Sequence, residues 1–165
     1  MTPDIIQIYL DTSVINFLFA DDAPEKRDIT KEFFENYVGP QRYQSFISEF
    51  VLFEIENTND REKRQRLLDA VAVYPLESLV ATDRLGMQIL AKSYIEAGIV
   101  PLKKYIDAYH VAICVQQKIN YLISWNYEHL ANIHKEELFK MVSKSNGYET
   151  EIRLITPLEL MDYES

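Results

Sequence analysis

The chain has 165 residues, close to the usual size of one domain, so we expect residues 1–165 to form a single domain. Its formal net charge of −9 argues against broad phosphate binding through a basic surface. Cys114 is the only cysteine, which excludes an intramolecular disulfide and is typical of a reducing compartment, so we expect the cytoplasm. The apolar run 5–10 is interrupted by Gln7 and has no basic residues before it, so neither a signal peptide nor membrane association is expected.

Strands and helices alternate along the predicted chain. In order, the predicted elements are a strand over residues 5–10, a helix over 22–37, a strand over 43–47, two helices over 49–58 and 61–71, a helix from 82 to 98, a buried helix over 105–117, a strand over 121–124, a helix reaching about 144, and an edge strand over 153–155. Ser48, Asp60 or Asn59, and Thr82 are the predicted N-caps of three helices. This alternation predicts an α/β domain with a mainly parallel sheet, whose ligands bind outside the carboxyl ends of the strands.

Asp11 directly follows the first predicted strand, at the edge where this class of sheet binds its ligands. Thr12, Ser13 and Asn16 add further oxygen groups beside it. The alternative is that Asp11 or Thr12 only caps a helix. The position favours Asp11 as a candidate catalytic residue.

Two further carboxylates lie within apolar helical segments. Glu54 interrupts the run 50–55, and a buried acid without a partner is costly, so it must meet a cation or another polar group. A salt bridge or an exposed helical stripe is the alternative for Glu54. Asp107 opens an apolar helix, where the positive end of the helix dipole would keep it ionised, and simple capping is its alternative.

His110 and Cys114 lie on the same predicted helix face as Asp107. A zinc site is disfavoured, because His129 and His134 are five residues apart instead of the three or four that align on a helix, and there is one cysteine. We therefore expect His110 to be a structural residue that hydrogen-bonds behind the site.

Polar and basic side chains surround these acids in the sequence. Asn126 follows the strand over 121–124, so it is expected to offer a neutral oxygen near Asp11. The basic residues of the segment 61–66 are expected to pair with Asp60 and Glu62 on a solvated helix face. Lys103 and Lys104 precede Asp107 and are better placed to meet an anion.

The three acids would repel one another if they converged. At about 4 Å and an effective dielectric constant of about 20, each pair of like charges costs about 4 kcal/mol before screening. Hard oxygen ligands suit Mg²⁺ or Mn²⁺, and such an ion can bridge to a phosphate and lower the pKa of a water molecule. A cation held by Asp11, Glu54 and Asp107 would let an acidic protein bind RNA locally.

Several segments together resemble the PIN-domain ribonuclease family, particularly the VapC-like toxins of type II toxin–antitoxin systems. The segments are IYLDTSV at 8–14, SEFVLFEI at 48–55, GIVP at 98–101 followed by DAYHVA at 107–112, and YLISWNYEHL at 121–130. Each segment alone is weakly specific, whereas their order and spacing over nearly the whole chain are fairly specific.

The resemblance implies an α/β/α sandwich around a mainly parallel sheet, and Mg²⁺- or Mn²⁺-dependent endonucleolytic cleavage of RNA. It implies that Asp11, Glu54 and Asp107 are the metal ligands and that Asn126 takes the fourth catalytic position. The resemblance matches Ser124 to a hydroxyl residue of the family, and Thr12, Ser13 and Asn126 would orient water at the metal.

The sequence departs from the family pattern at Asn126, where many members have aspartate. The departure removes one charge, so we expect a second metal to bind less well and catalysis to rest on one ion or to be weak. By analogy, the helices of residues 49–71 are where an antitoxin tail or a second copy would dock. We therefore expect an RNA substrate, an antitoxin partner and a homodimer.

Other classes of protein fit less well. A phosphoaspartate enzyme of the haloacid-dehalogenase type needs a second aspartate where Ser13 stands, and the acidic pair and lysine of a receiver domain are not clear. The serious alternative is an inactive PIN domain that binds RNA or protein, which Asn126 and the net charge of −9 favour slightly.

Overall fold

The computed structural model describes residues 5–164. Its strands and helices, in chain order, are β1 Gln7–Leu10, α1 Thr12–Phe17, α2 Pro24–Phe33 with a π-helical turn Phe34–Val38, β2 Gln44–Ser48, α3 Glu49–Glu56, α4 Arg61–Val73, β3 Leu76–Leu79, α5 Arg84–Glu96, a 3₁₀ turn Leu102–Lys104, α6 Tyr105–Gln116, β4 Tyr121–Ile123, α7 Ile133–Ser145, β5 Arg153–Ile155 and α8 Pro157–Glu164. The alternation of strand and helix follows the predicted order.

The five strands form one parallel sheet in the order β3-β2-β1-β4-β5. Strand β1 is central, and its Tyr9 is in register with Phe46 of β2 and Leu122 of β4. Side chains of β1 are fully buried from Ile8 to Leu10, because helices cover the sheet. The structure therefore confirms the predicted α/β/α sandwich with a parallel sheet.

Most predicted boundaries hold within a few residues, and β1, α2, β2 and α5 each start one or two residues later than predicted. Strand β1 begins at Gln7, since Ile5 and Ile6 are largely exposed and precede the sheet ladder. Helix α5 is capped by Asp83 and not by Thr82, because the Asp83 carboxylate accepts the backbone N–H of Gly86 at 3.0 Å. Apolar periodicity cannot distinguish these neighbouring polar residues.

The predicted caps of α3 and α4 are confirmed. Ser48 accepts the backbone N–H of Phe50, and Asp60 accepts those of Glu62 and Lys63. The predicted pairing of Asp60 with Arg64 is wrong, because Arg64 donates to the carbonyl of Thr58 at 2.9 Å. The Asp60 carboxylate instead accepts hydrogen bonds from the backbone of α4.

Three short elements were not predicted, namely α1, β3 and α8. Strand β3 lies at one edge of the sheet and is largely exposed, so it lacks the apolar run that marks a buried strand. Helix α1 has six residues, too few for a periodic pattern. Strand β5 occupies the opposite edge, as predicted.

The buried apolar side chains form one cluster that extends from Ile8 to Met161. A single domain over residues 1–165 stays a prediction, because residues 1–4 and 165 lie outside the described part. Within residues 5–164, every helix is too short or too polar to cross a lipid bilayer.

Candidate active site

One pocket at the carboxyl edge of the sheet receives the three predicted acids. Asp11 comes from the end of β1, Glu54 from α3, and Asp107 from the first turn of α6. This pocket, which we call the acid pocket, has a volume of about 290 Å³. Its lining residues are Asp11, Thr12, Ser13, Asn16, Glu54, Lys103, Lys104, Ile106, Asp107, His110 and Asn126. Side chains far apart in sequence thus meet where the fold class predicts a ligand.

Asp11 is held by two serine hydroxyls. Ser13 Oγ donates to Asp11 Oδ1 and Ser124 Oγ donates to Oδ2, both at 2.5 Å. Asp11 is only 3% exposed, and this burial raises the pKa of its carboxyl, although His110 and the two hydroxyls oppose the rise. Asp11 also caps α1, since Oδ1 accepts the N–H of Val14. Capping and a position in the pocket therefore coexist.

Glu54 is fixed by Thr12 and His110. Thr12 Oγ1 and His110 Nε2 each lie 2.7 Å from Glu54 Oε1. Burial alone would raise the pKa of Glu54, but the hydrogen bond and positive charge of His110, with the Thr12 bond, lower it overall. The same pairing raises the pKa of His110 against the opposite effect of its burial. Both shifts favour an ion pair between the Glu54 carboxylate and the protonated His110 ring.

A buried hydrogen-bonded chain lies behind this pair. Tyr9 Oη is 2.6 Å from His110 Nδ1 and 2.7 Å from Ser48 Oγ. With His110 doubly protonated, Nδ1–H donates to Tyr9, and the Tyr9 hydroxyl donates to Ser48. The predicted role of His110 as a hydrogen-bonding residue behind the site is confirmed, whereas Cys114 belongs to the hydrophobic core.

Asn126 meets Asp107 through its amide nitrogen. Asn126 Nδ2 donates to Asp107 Oδ2 at 3.2 Å, while Asn126 Oδ1 accepts the backbone N–H of His129 at 3.1 Å. The Asn126 oxygen is therefore directed to the loop. This arrangement differs from the expectation that Asn126 offers an oxygen next to Asp11.

The carboxyl of Asp107 also has a raised pKa. Burial raises its pKa to about 6, and the nearby charges of Asp11 and Glu54 add to the rise, while His110 and Lys104 oppose it. Lys103 and Lys104 line the pocket, which confirms their predicted position beside the acids. The pocket thus combines clustered carboxylates with lysines that can meet an anion.

The chemistry of this donor set fits a hard divalent cation, since carboxylate and hydroxyl oxygens are its main groups. Within residues 5–164, no three histidine, cysteine, aspartate or glutamate side chains are placed to hold an ion as they stand. Hydroxyls of Thr12, Ser13 and Ser124 engage carboxylate oxygens instead. Binding an ion would require the carboxylates to exchange some of these bonds.

Comparison with known families agrees with this architecture. The model of the PIN domain family matches residues 8–135, a stretch that contains all three acids and Asn126. The chain therefore belongs to the PIN domain family. No curated protein shows a significant match.

A solved structure shares the fold at low sequence identity. It is the crystal structure of VapBC2 from Rickettsia felis bound to a DNA fragment from their promoter. The TM-score is 0.53 and the identity 14%, over 92% of this chain and 98% of that one. At this identity the match supports a common fold.

The contributions of Tyr9 and Ser48 to the pocket were not predicted. Tyr9 lies in an otherwise apolar run, where a phenol is indistinguishable from other core aromatics by periodicity. A buried tyrosine hydroxyl needs a hydrogen-bond partner, and this requirement is the sequence signal that Tyr9 contacts a polar group. The partner itself lies 101 residues away, so sequence spacing could not identify it.

We expect Tyr9→Phe to weaken divalent-ion binding as well as stability. Losing the hydroxyl removes two buried hydrogen bonds and costs about 1–2 kcal/mol of unfolding free energy. It also frees the His110 ring that positions Glu54. Tyr94→Phe is the matched control, because Tyr94 Oη makes a buried bond to Ser143 away from the pocket.

The two variants are compared by chemical denaturation and by calorimetric titration with Mn²⁺. Both should be destabilised, and only Tyr9→Phe should lose affinity for the ion. Equal Mn²⁺ affinities in the two variants would show that the Tyr9 hydroxyl does not position the pocket.

Proposed function

We propose that the protein is a divalent-metal-dependent endoribonuclease that hydrolyses RNA phosphodiester bonds. The observation that supports this most directly is the convergence of Asp11, Glu54 and Asp107 on one pocket. Burial raises the pKa values of Asp11 and Asp107, and a bound cation would offset the cost of ionising these carboxyls in the pocket. Mg²⁺ or Mn²⁺ would be held by these three carboxylates.

When bound, the cation supplies charge neutralisation for the phosphate and activation of a water molecule. The chain's own residues prepare the site. His110 keeps Glu54 ionised at neutral pH, and the hydroxyls of Ser13 and Ser124 hold the Asp11 carboxylate in place. The proposed orienting roles of Thr12, Ser13, Ser124 and Asn126 rest on their hydrogen bonds to the three acids.

The two lysines at the pocket complement a phosphodiester. Lys103 and Lys104 line the same pocket as the acids, in the turn that precedes α6. Their positive charges attract the RNA backbone despite the overall charge of −9. Because the lysines line the same pocket as the acids, an acidic protein would bind a phosphate there.

The test is cleavage of mixed single-stranded and structured RNAs with Mg²⁺, Mn²⁺ or EDTA. We expect cleavage by the wild type with metal, and a loss of about 100-fold or more for Glu54→Gln. Glu56→Gln is the matched control, since Glu56 is exposed on the same helix. Cleavage that persists in EDTA or in Glu54→Gln would contradict the proposal.

A catalytically weak or inactive domain that binds RNA or protein is the second candidate function. The orientation of Asn126 favours it, because the pocket gains an amide N–H where a fourth carboxylate would add a metal ligand. RNA binding without cleavage under any of the divalent ions would support this second function.

We further propose that the protein is a VapC-like toxin that acts in the cytoplasm. It would pair with a cognate antitoxin and form a homodimer. The fold shared with VapBC2 and the resemblance over residues 8–130 support this proposal. Helices α3 and α4 are the proposed docking region. Co-expression of the proposed antitoxin should suppress the toxicity of this chain, and unaltered toxicity would contradict the pairing.

A further inference from the structure

A lysine and three aromatic rings meet beside the acid pocket. The ammonium nitrogen Nζ of Lys26, on α2, faces the rings of Phe17, Trp125 and Tyr127. Its distances to the three ring centroids are 5.5 Å, 5.7 Å and 5.1 Å in that order. A lysine ammonium within about 6 Å of a ring centroid is attracted to the face of the ring. We call these four residues the cation–aromatic cluster, and it joins α1, α2 and the loop after β4.

The rings of the cation–aromatic cluster also contact one another. The centroids of Phe17 and Trp125 are 5.9 Å apart, and those of Trp125 and Tyr127 are 6.4 Å apart. Trp125 is buried, and its indole N–H donates to Thr30 Oγ1 of α2 at 2.9 Å. Trp125 is therefore fixed to α2 by a hydrogen bond, whereas the half-exposed Tyr127 meets α2 through the Lys26 ammonium.

The residues on both sides of Asn126 belong to the cation–aromatic cluster, and Asn126 itself lines the acid pocket. The backbone N–H of Trp125 donates at 2.9 Å to Ser13 Oγ, the hydroxyl that holds the Asp11 carboxylate. Asn126 Nδ2 donates to Asp107. Two of the three acids thus depend on hydrogen bonds from this short segment.

The loop between β4 and α7 is tied to itself. The carbonyl of Asn126 accepts the backbone N–H groups of Leu130 and Ala131, and Asn132 Nδ2 donates to the carbonyl of Tyr127. Because these bonds make the loop compact, the contact between Lys26 and Tyr127 orients the loop as a unit, with Asn126 at its start.

We propose that Lys26 is a positioning residue of the acid pocket, whose ammonium holds the rings of the cation–aromatic cluster together and so keeps Asn126 against Asp107. The inference rests on the proposed ribonuclease function and adds to it a residue outside the pocket. Lys26 acts through Trp125 and Tyr127. Attraction to a ring needs a positive charge, so arginine should replace Lys26 and a neutral side chain should not.

The test compares Lys26→Gln and Lys26→Arg with the wild type. Glutamine removes the charge and keeps a long polar side chain, whereas arginine keeps the charge. Lys31→Gln is the matched control, because Lys31 is exposed on the same helix and its substitution removes the same charge. The measurements are calorimetric titration with Mn²⁺ and quenching by acrylamide of the fluorescence of Trp125, the only tryptophan of the chain.

We expect Lys26→Gln to raise the Kd for Mn²⁺ about tenfold, the size of effect seen when a residue that supports metal ligands from behind is lost. Quenching of Trp125 should increase in the same variant. Lys26→Arg and Lys31→Gln should match the wild type in both measurements. An unchanged Kd in Lys26→Gln would overturn the proposal, as would an equal loss of affinity in Lys31→Gln or a loss without greater quenching.

Substitution of Tyr127 tests whether Lys26 acts through the rings. Tyr127→Leu removes the ring and should weaken Mn²⁺ binding, whereas Tyr127→Phe keeps the ring and should bind like the wild type. Residues that act through one contact have effects that do not add. The double variant Lys26→Gln/Tyr127→Leu should therefore lose no more affinity than Lys26→Gln alone, and additive losses would overturn the proposal.

Cleavage of RNA by the same proteins separates this proposal from the ribonuclease proposal. If the wild type binds Mn²⁺ and cleaves no RNA, the ribonuclease proposal fails, and the affinities and the quenching of Trp125 still decide the role of Lys26. If the wild type cleaves RNA and Lys26→Gln binds Mn²⁺ equally well, only the role of Lys26 fails.

Discussion

Asp107→Asn should be more stable than the wild type in EDTA at pH 7.5, and should lose divalent-dependent cleavage. Burial raises the pKa of Asp107 to about 6, so ionising this carboxyl in the folded protein is costly. A rise of this size from the usual 3.8 corresponds to about 2–3 kcal/mol of lost stability. Asparagine removes the charge and can still accept the hydrogen bond from Asn126.

The pH dependence of this gain follows from the sign of the shift. Below pH about 4 the carboxyl is protonated in both folded and unfolded chains, so the wild type and the variant should be equally stable. Between pH about 4 and 6 the unfolded carboxyl ionises first, and the wild type loses stability relative to Asp107→Asn. Above pH about 6 the difference is constant.

The measurement is urea denaturation in EDTA at several pH values, with Asp69→Asn as the matched control. Asp69 is exposed on α4, so its substitution should change stability little at any pH. A destabilised Asp107→Asn at pH 7.5 would contradict a crowded acid pocket. Adding Mg²⁺ should stabilise the wild type more than the variant.

Asn126→Asp should make stability strongly dependent on a divalent ion. The new carboxylate would place an oxygen about 3 Å from Asp107, and two like charges there repel by about 5 kcal/mol before screening. The two carboxyls relieve this repulsion by sharing a proton. We therefore expect the free energy of unfolding in EDTA to fall by about 2 kcal/mol. With the fourth acid, affinity for Mn²⁺ should rise about tenfold.

Asn132→Asp is the matched control for this charge change. Asn132 caps α7 by accepting the N–H of Lys135, outside the acid pocket. Its substitution should leave Mn²⁺ affinity unchanged in a calorimetric titration. Unchanged affinity in Asn126→Asp as well would show that position 126 does not face the bound ion.

The layout of the fold followed from local patterns. An apolar run followed by Asp11, the caps at Ser48 and Asp60, and the apolar helix at 105–117 were sufficient to predict a parallel sheet with a site at one edge. Those patterns depend on residues that are near one another in the sequence, and the observed strands and helices agree with them. The short, exposed strand β3 has no such pattern and was missed.

The detailed geometry of the pocket depends on contacts between distant segments. Asn126 turns its nitrogen to Asp107 because the backbone of His129 takes its oxygen, which no residue pattern indicates. The link from Tyr9 through His110 to Glu54 likewise joins three separate elements. Residue types could nominate the acids, whereas their hydrogen-bond partners required the folded chain.

Asp11 follows strand β1 and Ser124 follows the neighbouring strand β4. The hydrogen bond between their side chains joins residues that are 113 positions apart in the sequence. A ribosome must therefore synthesise most of the chain before the pocket can assemble, since non-local contacts form after the segments that make them. During translation the nascent chain lacks the partner that holds Asp11. The site of the proposed nuclease therefore stays incomplete until the chain has been synthesised beyond Ser124.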